Sequence, residues 1–305
     1  MLDRTVVAAV ACLSMSTGAL AWDGARAYHL RPEGSNDLSL TMTLIHGAGT
    51  VDLGYGEETT ELGVAVLTPA YRHTFDIMGN AGTVLIGMPV GNVSFSTSLG
   101  TIDVDTDVAQ GDLFIGGVFG LVGMPSLAVM DYVQYKPGFQ ASIAGRLFLP
   151  TGDYDPDRAV SLGQNRWTLE ASVPLTYVLG DTMVDPELTT FEVRPVVVIF
   201  GDNEDAVGPA SVMSKDPVFG VEAHVTRNFG NSLWAGLDAY YEIGGETSLD
   251  GVAQDDELET FAVGATLGLV LSPQLAMRLT YRELVYSNQP DASGRSFEVA
   301  TAFLF

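Results

Sequence analysis

The chain has 305 residues, with 14 Lys+Arg against 38 Asp+Glu and a net charge of −24. Hydrophobic residues make up 47% and mean hydropathy is +0.22, yet only 17% are charged, against roughly 25% in ordinary soluble domains. Without a basic footprint nucleic acid is excluded as a partner, and the apolar content argues against disorder.

Residues 2–21 read LDRTVVAAVACLSMSTGALA: a basic residue (Arg4), an apolar stretch, then the small-residue site Ala19-Leu20-Ala21. This is the layout of a cleavable secretory signal, too short and wrongly flanked for a membrane helix. The expected division is a signal over 1–21 and one domain over 22–305. The single cysteine, Cys12, lies inside the signal. AVAC (9–12) resembles a lipoprotein cleavage box only weakly, because the apolar region continues past it. A mature chain without cysteine holds together by architecture, not by disulfides.

Beyond the signal no apolar run approaches the ~18 residues of a membrane helix. Period two recurs instead. Leu38 to Leu44 alternates without a fault, and the same pattern runs through Phe139–Leu149, Trp167–Tyr177, Leu233–Ile243, Leu275–Tyr281 and Phe297–Phe305. Each such strand has one dry and one wet face. Twelve strands are predicted, near 36–46, 62–76, 82–91, 111–122, 139–149, 167–178, 188–200, 217–228, 232–243, 259–271, 274–286 and 296–305. Their length of about ten residues suits a tilted membrane strand.

The connections alternate as well. Long segments follow strands 1, 3, 5, 7 and 9, and short or medium ones follow strands 2, 6, 8 and 10. That is the pattern of an up-and-down transmembrane β-barrel with long loops outside and turns on the periplasmic side. The segment 123–138 is too long for a turn, and Leu127, Met130 and Val133 predict a short rim helix near 125–135; a plug inside the barrel is the lesser alternative. Pro69, Pro174 and Pro195 fall inside predicted strands, where proline cannot donate to a ladder, so bulges or kinks are expected there. The acidic residues concentrate in the predicted outer loops, giving an acidic crown above an apolar belt. Phe305 ends the last strand on the face of Phe297, Val299, Thr301 and Phe303, an arrangement that outer-membrane barrels show where the barrel assembly machinery reads them.

From Leu149 to Trp167 the sequence is LPTGDYDPDRAVSLGQNRW. The pieces Pro150, Thr151, Gly152, Asp153, Tyr154, Asp155, Arg158, Gly163, Asn165, Arg166 and Trp167 resemble the bacterial outer-membrane family of transporters of the meta-pathway of phenol degradation. Ser161 stands where that family usually has asparagine. Thr68-Pro69-Ala70-Tyr71-Arg72, Gly201-Asp202-Asn203, Ser214-Lys215-Asp216-Pro217 and Gly244-Gly245-Glu246-Thr247 extend the resemblance over most of the mature chain. It implies a barrel in the outer membrane of a Gram-negative bacterium that passes small, often aromatic or apolar, molecules.

Charged residues on the minority-apolar face give the candidate lumen: Arg72, Arg146, Glu170, Glu192, Arg194, Glu222, His224, Asp238, Glu242, Arg278, Arg282 and Glu298. Opposed rows of this kind either structure a pore or pair across strands and fill the interior. The D-x-D-x-D runs Asp103/Asp105/Asp107 and Asp153/Asp155/Asp157 offer alternate carboxylates to Ca²⁺ but lack the glycine and glutamate of an EF-hand loop, so solvated loops are the plainer reading. Arg158 and Arg166 are expected to pair with the second run. The four histidines, His29, His46, His73 and His224, form no zinc or serine–histidine pattern, and neither an enzyme nor a cofactor is expected. The expectation is passive diffusion through a lumen gated by loops 150–166, 201–217 and 244–258; a closed structural barrel is the alternative. The partners expected are membrane lipid, lipopolysaccharide and a small-molecule substrate.

Overall fold

The computed structural model describes residues 22–52, 57–98, 103–158 and 160–305. The signal expected over 1–21 lies outside the described residues. The elements in chain order are β1 (Asn36–Asp52), β2 (Glu57–Ile77), β3 (Asn80–Gly87), β4 (Val90–Thr97), β5 (Asp103–Asp105), β6 (Ala109–Gln110) and β7 (Phe114–Val122). They continue with α1 (Val129–Gln134), β8 (Phe139–Phe148), β9 (Thr168–Ser172), β10 (Leu175–Leu179), β11 (Thr189–Phe200), β12 (Met213–Lys215) and β13 (Val218–Asn228). The last are β14 (Leu233–Gly244), β15 (Thr247–Leu249), β16 (Val252–Ala253), β17 (Leu258–Val270), β18 (Leu275–Ser287) and β19 (Ser293–Leu304).

These pieces make a closed, antiparallel barrel of twelve staves. β3 and β4 share one stave, β9 and β10 another, and β5 and β6 continue the stave of β7. Closure comes from β1, which pairs with β2 on one side and with β19 on the other, from Asp37↔Leu304 to Ala48↔Ser293. Closure matters because an open edge in a bilayer would leave backbone N–H and C=O groups without partners. The alternation seen in the sequence sorts the faces. On β1, Leu38, Leu40, Met42 and Leu44 point outward, exposed by 37% to 53%, and Leu67, Ile86, Ile143, Phe191, Val225 and Phe297 join them in the outer belt.

Two departures from plain staves have identifiable causes. β2 pairs with β4 through Leu67 and with β3 from Ala70, and Pro69 sits at the change of partner. Pro174 separates β9 from β10, and its neighbour Val173 donates its N–H to the Pro195 carbonyl on β11 at 3.1 Å; register is kept across the break, with Ser172↔Val196 and Leu175↔Val193. The bulges expected at these prolines are absent: the missing donors cost single rungs and no residue is inserted. β1 and β2 run longer than expected, pairing as far as Asp52↔Glu57, because Gly47–Asp52 and Glu57–Gly63 continue the ladder beyond the apolar belt.

The segment 123–138 carries α1 at the periplasmic rim. Its buried side differs from the expected Leu127/Met130/Val133 face. Met130 is 68% exposed, while Leu127, Tyr132 and Tyr135 pack against Leu30, Ala81, Met124 and Met183. The helix is only six residues long, and its fixed point is the backbone pairing of Ala81 with Met124 rather than its own apolar stripe.

Candidate functional site

Register brings the inward charges together. Arg146 lies directly across from Glu170, Arg194 from Glu222, and His224 lies between Glu192 and Asp238 on neighbouring staves. The contacts follow: Arg146 to Glu170 at 3.1 Å, Arg194 to Glu170 at 3.0 Å and to Glu222 at 3.5 Å, His224 Nδ1 to Asp238 at 2.6 Å. Across the lumen, Glu298 takes Arg278 at 2.8 Å and Arg282 at 3.3 Å. Glu242 accepts the Thr260 hydroxyl at 3.0 Å, and Thr266 donates to Asp238 at 2.7 Å. All these carboxylates are buried, so pairing and hydrogen bonding are what make the charged interior tolerable.

The lumen also holds a segment that the sequence patterns missed. Residues 22–31 thread upward from the periplasmic end, with Glu33 and Gly34 anchored on Leu127 and Thr74 by backbone bonds of 2.8 and 2.9 Å. Trp22 reaches the outer half, edge-on to Tyr240 at 5.0 Å and packed on Val196, Val198 and Val218. Both wall and segment supply the ties. Glu222 Oε1 accepts the N–H groups of Asp23 and Gly24 at 3.2 and 3.3 Å. The Asp23 carboxylate takes Arg146 at 2.6 and 2.7 Å, Arg194 at 3.1 Å and the Tyr28 hydroxyl at 2.6 Å. Arg278 donates to the Ala25 carbonyl at 3.1 Å.

Lower down, Glu192 accepts the Arg26 N–H at 2.9 Å and meets His29 Nε2 at 3.1 Å. The Arg26 guanidinium donates to Thr226 at 2.8 Å and Asn228 at 2.7 Å and stacks over Trp234 at 4.3 Å. Arg31 pairs with Asp37 on β1. The chain turns sharply here, with φ of +75° at Gly24 and +63° at Arg26. A Cβ at Gly24 would stand 3.2 Å from the Arg278 guanidinium carbon, so both backbone and space ask for glycine. The lumen charges therefore neither line an open bore nor merely pair across strands: several of them clasp an internal peptide. The available sequence signal was the WDGARAYHLRPEG stretch after the signal, too charged for a barrel strand and too short for a domain.

Beside this segment a small cavity remains. It runs against β2, β3, β7 and β8, where the inward side chains Ala81, Thr83, Val118 and Ala144 are small. Arg72 and Arg31 stand at one part of its lining, Arg146, Glu170 and Asp23 at another.

The outer mouth is built, not loose. Asp112 accepts the N–H groups of Thr151 (3.1 Å), Gly152 (2.9 Å) and Gln164 (2.9 Å), closing the PTGDYD loop onto β7. Burial raises its carboxyl above the usual range, against the pull of those three N–H groups. Gly152 and Gly163 touch backbone to backbone: a Cβ on Gly152 would meet Gly163 Cα at 2.7 Å. Asp153 accepts the Gln110 N–H at 2.7 Å, the Tyr154 hydroxyl donates to the Asp205 carbonyl at 2.7 Å, and Asn165, at φ +53°, donates to Asn203 at 2.8 Å. Pro150 follows the end of β8, and Trp167 lies exposed where β9 begins.

Arg158 pairs with Asp155 at 3.1 Å, both exposed. Arg166 departs from expectation: it forms no ion pair with an aspartate among the described residues but stacks over Phe200 at 4.9 Å and reaches Gln164. It is buried against an aromatic ring, whose π-face takes the guanidinium where no carboxylate is in ion-pair contact. Loops 201–217 and 245–257 join through the small sheet β12–β15–β16, where Asp256 accepts the Thr247 N–H at 2.6 Å. Asp103, Asp105 and Asp107 are exposed, and among the described residues no group of three or more His, Cys, Asp or Glu is gathered for a metal.

A family model described as "Putative MetA-pathway of phenol degradation" matches residues 45–298. Among solved structures, an outer-membrane channel from Pseudomonas putida F1 superimposes with a TM-score of 0.77 at 18% identity, over 93% of this chain and 100% of that one. The translocator domain of the autotransporter NalP from Neisseria meningitidis gives 0.52 at 10% identity, over 99% of both chains. The transport unit of the autotransporter AIDA-I from Escherichia coli gives 0.53 at 8% identity, over 99% of both. At these identities the likeness is one of fold. No curated protein matches.

Proposed function

The chain is an outer-membrane β-barrel that belongs to the family so described, and from that premise we propose that it passes small, apolar or aromatic molecules passively across the outer membrane. The observation that carries this reading is the incomplete filling of the lumen. The internal segment is clasped chiefly by β8, β11, β13 and β18, while the wall of alanine, threonine and valine on β3, β7 and β8 leaves a cavity alongside it, which we read as part of the path. The structured outer loops shape the entrance. No energy coupling is needed for movement down a gradient. In this reading Phe305 serves as the terminal signal for barrel assembly, and membrane lipid and lipopolysaccharide surround the belt.

The many ties to residues 22–31 favour a second reading, a barrel closed by its own N-terminal segment. Swelling of liposomes carrying the protein, with benzyl alcohol and with sugars of similar size, separates the two. Faster entry of the aromatic than in protein-free vesicles supports passage; a folded barrel without effect on either solute supports closure.

A further inference from the structure

Arg72 is the unusual cation of the lumen. It lies on β2 directly across from Asp37 on β1 and Leu85 on β3, and all three side chains point inward. Yet Asp37 is taken by Arg31 of the internal segment, and Arg72 forms no hydrogen bond or ion pair among the described residues. Elsewhere in the lumen the wall arginines each hold a carboxylate, as Arg146, Arg194, Arg278 and Arg282 do. Two guanidinium groups thus stand beside one carboxylate at the edge of the cavity, leaving one positive charge over.

We propose that Arg72, with Arg31 beside it, binds a short-chain monocarboxylate at this point of the passage. The chemistry selects the class. A guanidinium presents a planar fork that matches a carboxylate through two parallel N–H···O bonds. The surplus at Arg31, Arg72 and Asp37 is one positive charge, which a monoanion neutralises and a dianion exceeds. Asp23 and Glu170 on the same lining repel further negative charge. Leu85, Ala81 and Val118 give a short apolar tail something to lie against. The space is about 40 Å³, a few times the ~10–15 Å³ that a single water needs, so the acid is of acetate or propionate size.

The site goes beyond the apolar or aromatic cargo of the transport reading, and rests on that reading only for the route by which the acid arrives. The test is therefore a binding measurement on the full mature chain in detergent, which needs no passage. Titration with ¹³C-acetate, followed by NMR, is expected to show saturable binding that Arg72→Gln weakens roughly tenfold, the worth of one charge-assisted hydrogen bond. Asp37→Asn removes the competing carboxylate and is expected to tighten binding. Ala144→Leu fills the passage and abolishes binding with every charge in place. Heat-modifiable migration on gels verifies that each variant is a folded barrel. Absence of saturable binding to the wild type, or binding indifferent to Arg72→Gln in a folded variant, overturns the proposal, and tighter binding of inorganic phosphate than of acetate overturns the monocarboxylate assignment. Failure of the swelling experiment with intact acetate binding would sink the transport reading and leave the site standing.

Discussion

The guanidinium of Arg146, on the inner wall of β8, holds the carboxylate of Asp23 at 2.6 and 2.7 Å while keeping Glu170 at 3.1 Å. One wall arginine thus serves both its neighbouring stave and the internal segment. Arg194 does the same, meeting Asp23 at 3.1 Å and Glu170 at 3.0 Å. Two cations among three carboxylates, counting Glu222, form a chain in which Asp23 is the member supplied by the internal segment.

Removing Asp23 should loosen the segment without unfolding the barrel. Truncating one partner of a buried pair typically costs about 3–5 kcal/mol when the other is left unpaired. Arg146 and Arg194 keep Glu170, so the cost of Asp23→Ala should fall at or below the lower end. In planar bilayers we expect brief open bursts absent from the wild type, and steady, larger conductance after deletion of 22–31. Identical conductance in all three would show that the segment does not obstruct the path.

Glu222 tests the backbone ties separately from the charge. Its Oε1 accepts two N–H groups, of Asp23 and Gly24, beside the Arg194 guanidinium. Glu222→Gln keeps a carbonyl acceptor and loses the charge; Glu222→Ala loses both. An unsatisfied buried donor costs about 1–3 kcal/mol. The alanine variant should therefore open to protease cleavage within 22–31 more readily than the glutamine variant. Equal cleavage of the two would assign the whole effect to charge.

The barrel was legible because a two-residue period has one physical cause, a wall with lipid on one side and polar contents on the other. Leu38 to Leu44, or Leu275 to Tyr281, could hardly serve another architecture at that length. The charges at Arg146, Glu170, Arg194 and Glu222 stood out as inward by the same alternation. What they hold was not legible. Residues 22–31 have no period, and their placement depends on contacts to residues some 120 to 250 positions away, such as Arg146 and Arg278. Arg166 was misjudged for a related reason: its ring partner Phe200 lies on another stave, and only register brings them together.

The PTGDYD loop depends on Asp112, outside the motif itself. Asp112→Ala leaves the N–H groups of Thr151, Gly152 and Gln164 without their acceptor, at about 1–3 kcal/mol for each that stays dry. The barrel below is independent of these bonds. Limited proteolysis should cut 150–166 at least tenfold faster in the variant, with unchanged heat-modifiable migration. Gly163→Ala should act alike, since its Cβ would meet the Gly152 carbonyl carbon at 2.6 Å. Protection equal to wild type in both would remove Asp112 and the glycine contact as the loop's fastening.

The belt predicts a depth-dependent penalty. Met42 faces outward between Leu67 of β2 and Val299 of β19. Met42→Arg places a charge in hydrocarbon, at roughly 2–4 kcal/mol near the midplane. Urea titration of folding into phospholipid vesicles should show that loss, while Leu38→Arg, nearer the periplasmic rim, should cost less. A larger penalty at 38 than at 42 would move the midplane.

The periplasmic turn over 180–188 offers a pH-dependent readout away from the membrane. Asp185 accepts the N–H groups of Asp181 at 2.7 Å and Glu187 at 2.8 Å, and these two bonds hold its carboxyl below the usual range. Its own carbonyl receives the Asn228 side chain at 2.7 Å, tying the turn to β13. Because the folded value lies below the unfolded one of ~3.9, the turn gains its full support above that pH. The support is lost as pH falls through the depressed value. Amide exchange at Asp181 and Glu187, measured down to pH 2, should accelerate in that acid window beyond the intrinsic pH trend. Asp185→Asn keeps an acceptor that does not titrate, so its profile should lack the acid step. A step of equal size in the variant would assign the transition to another group.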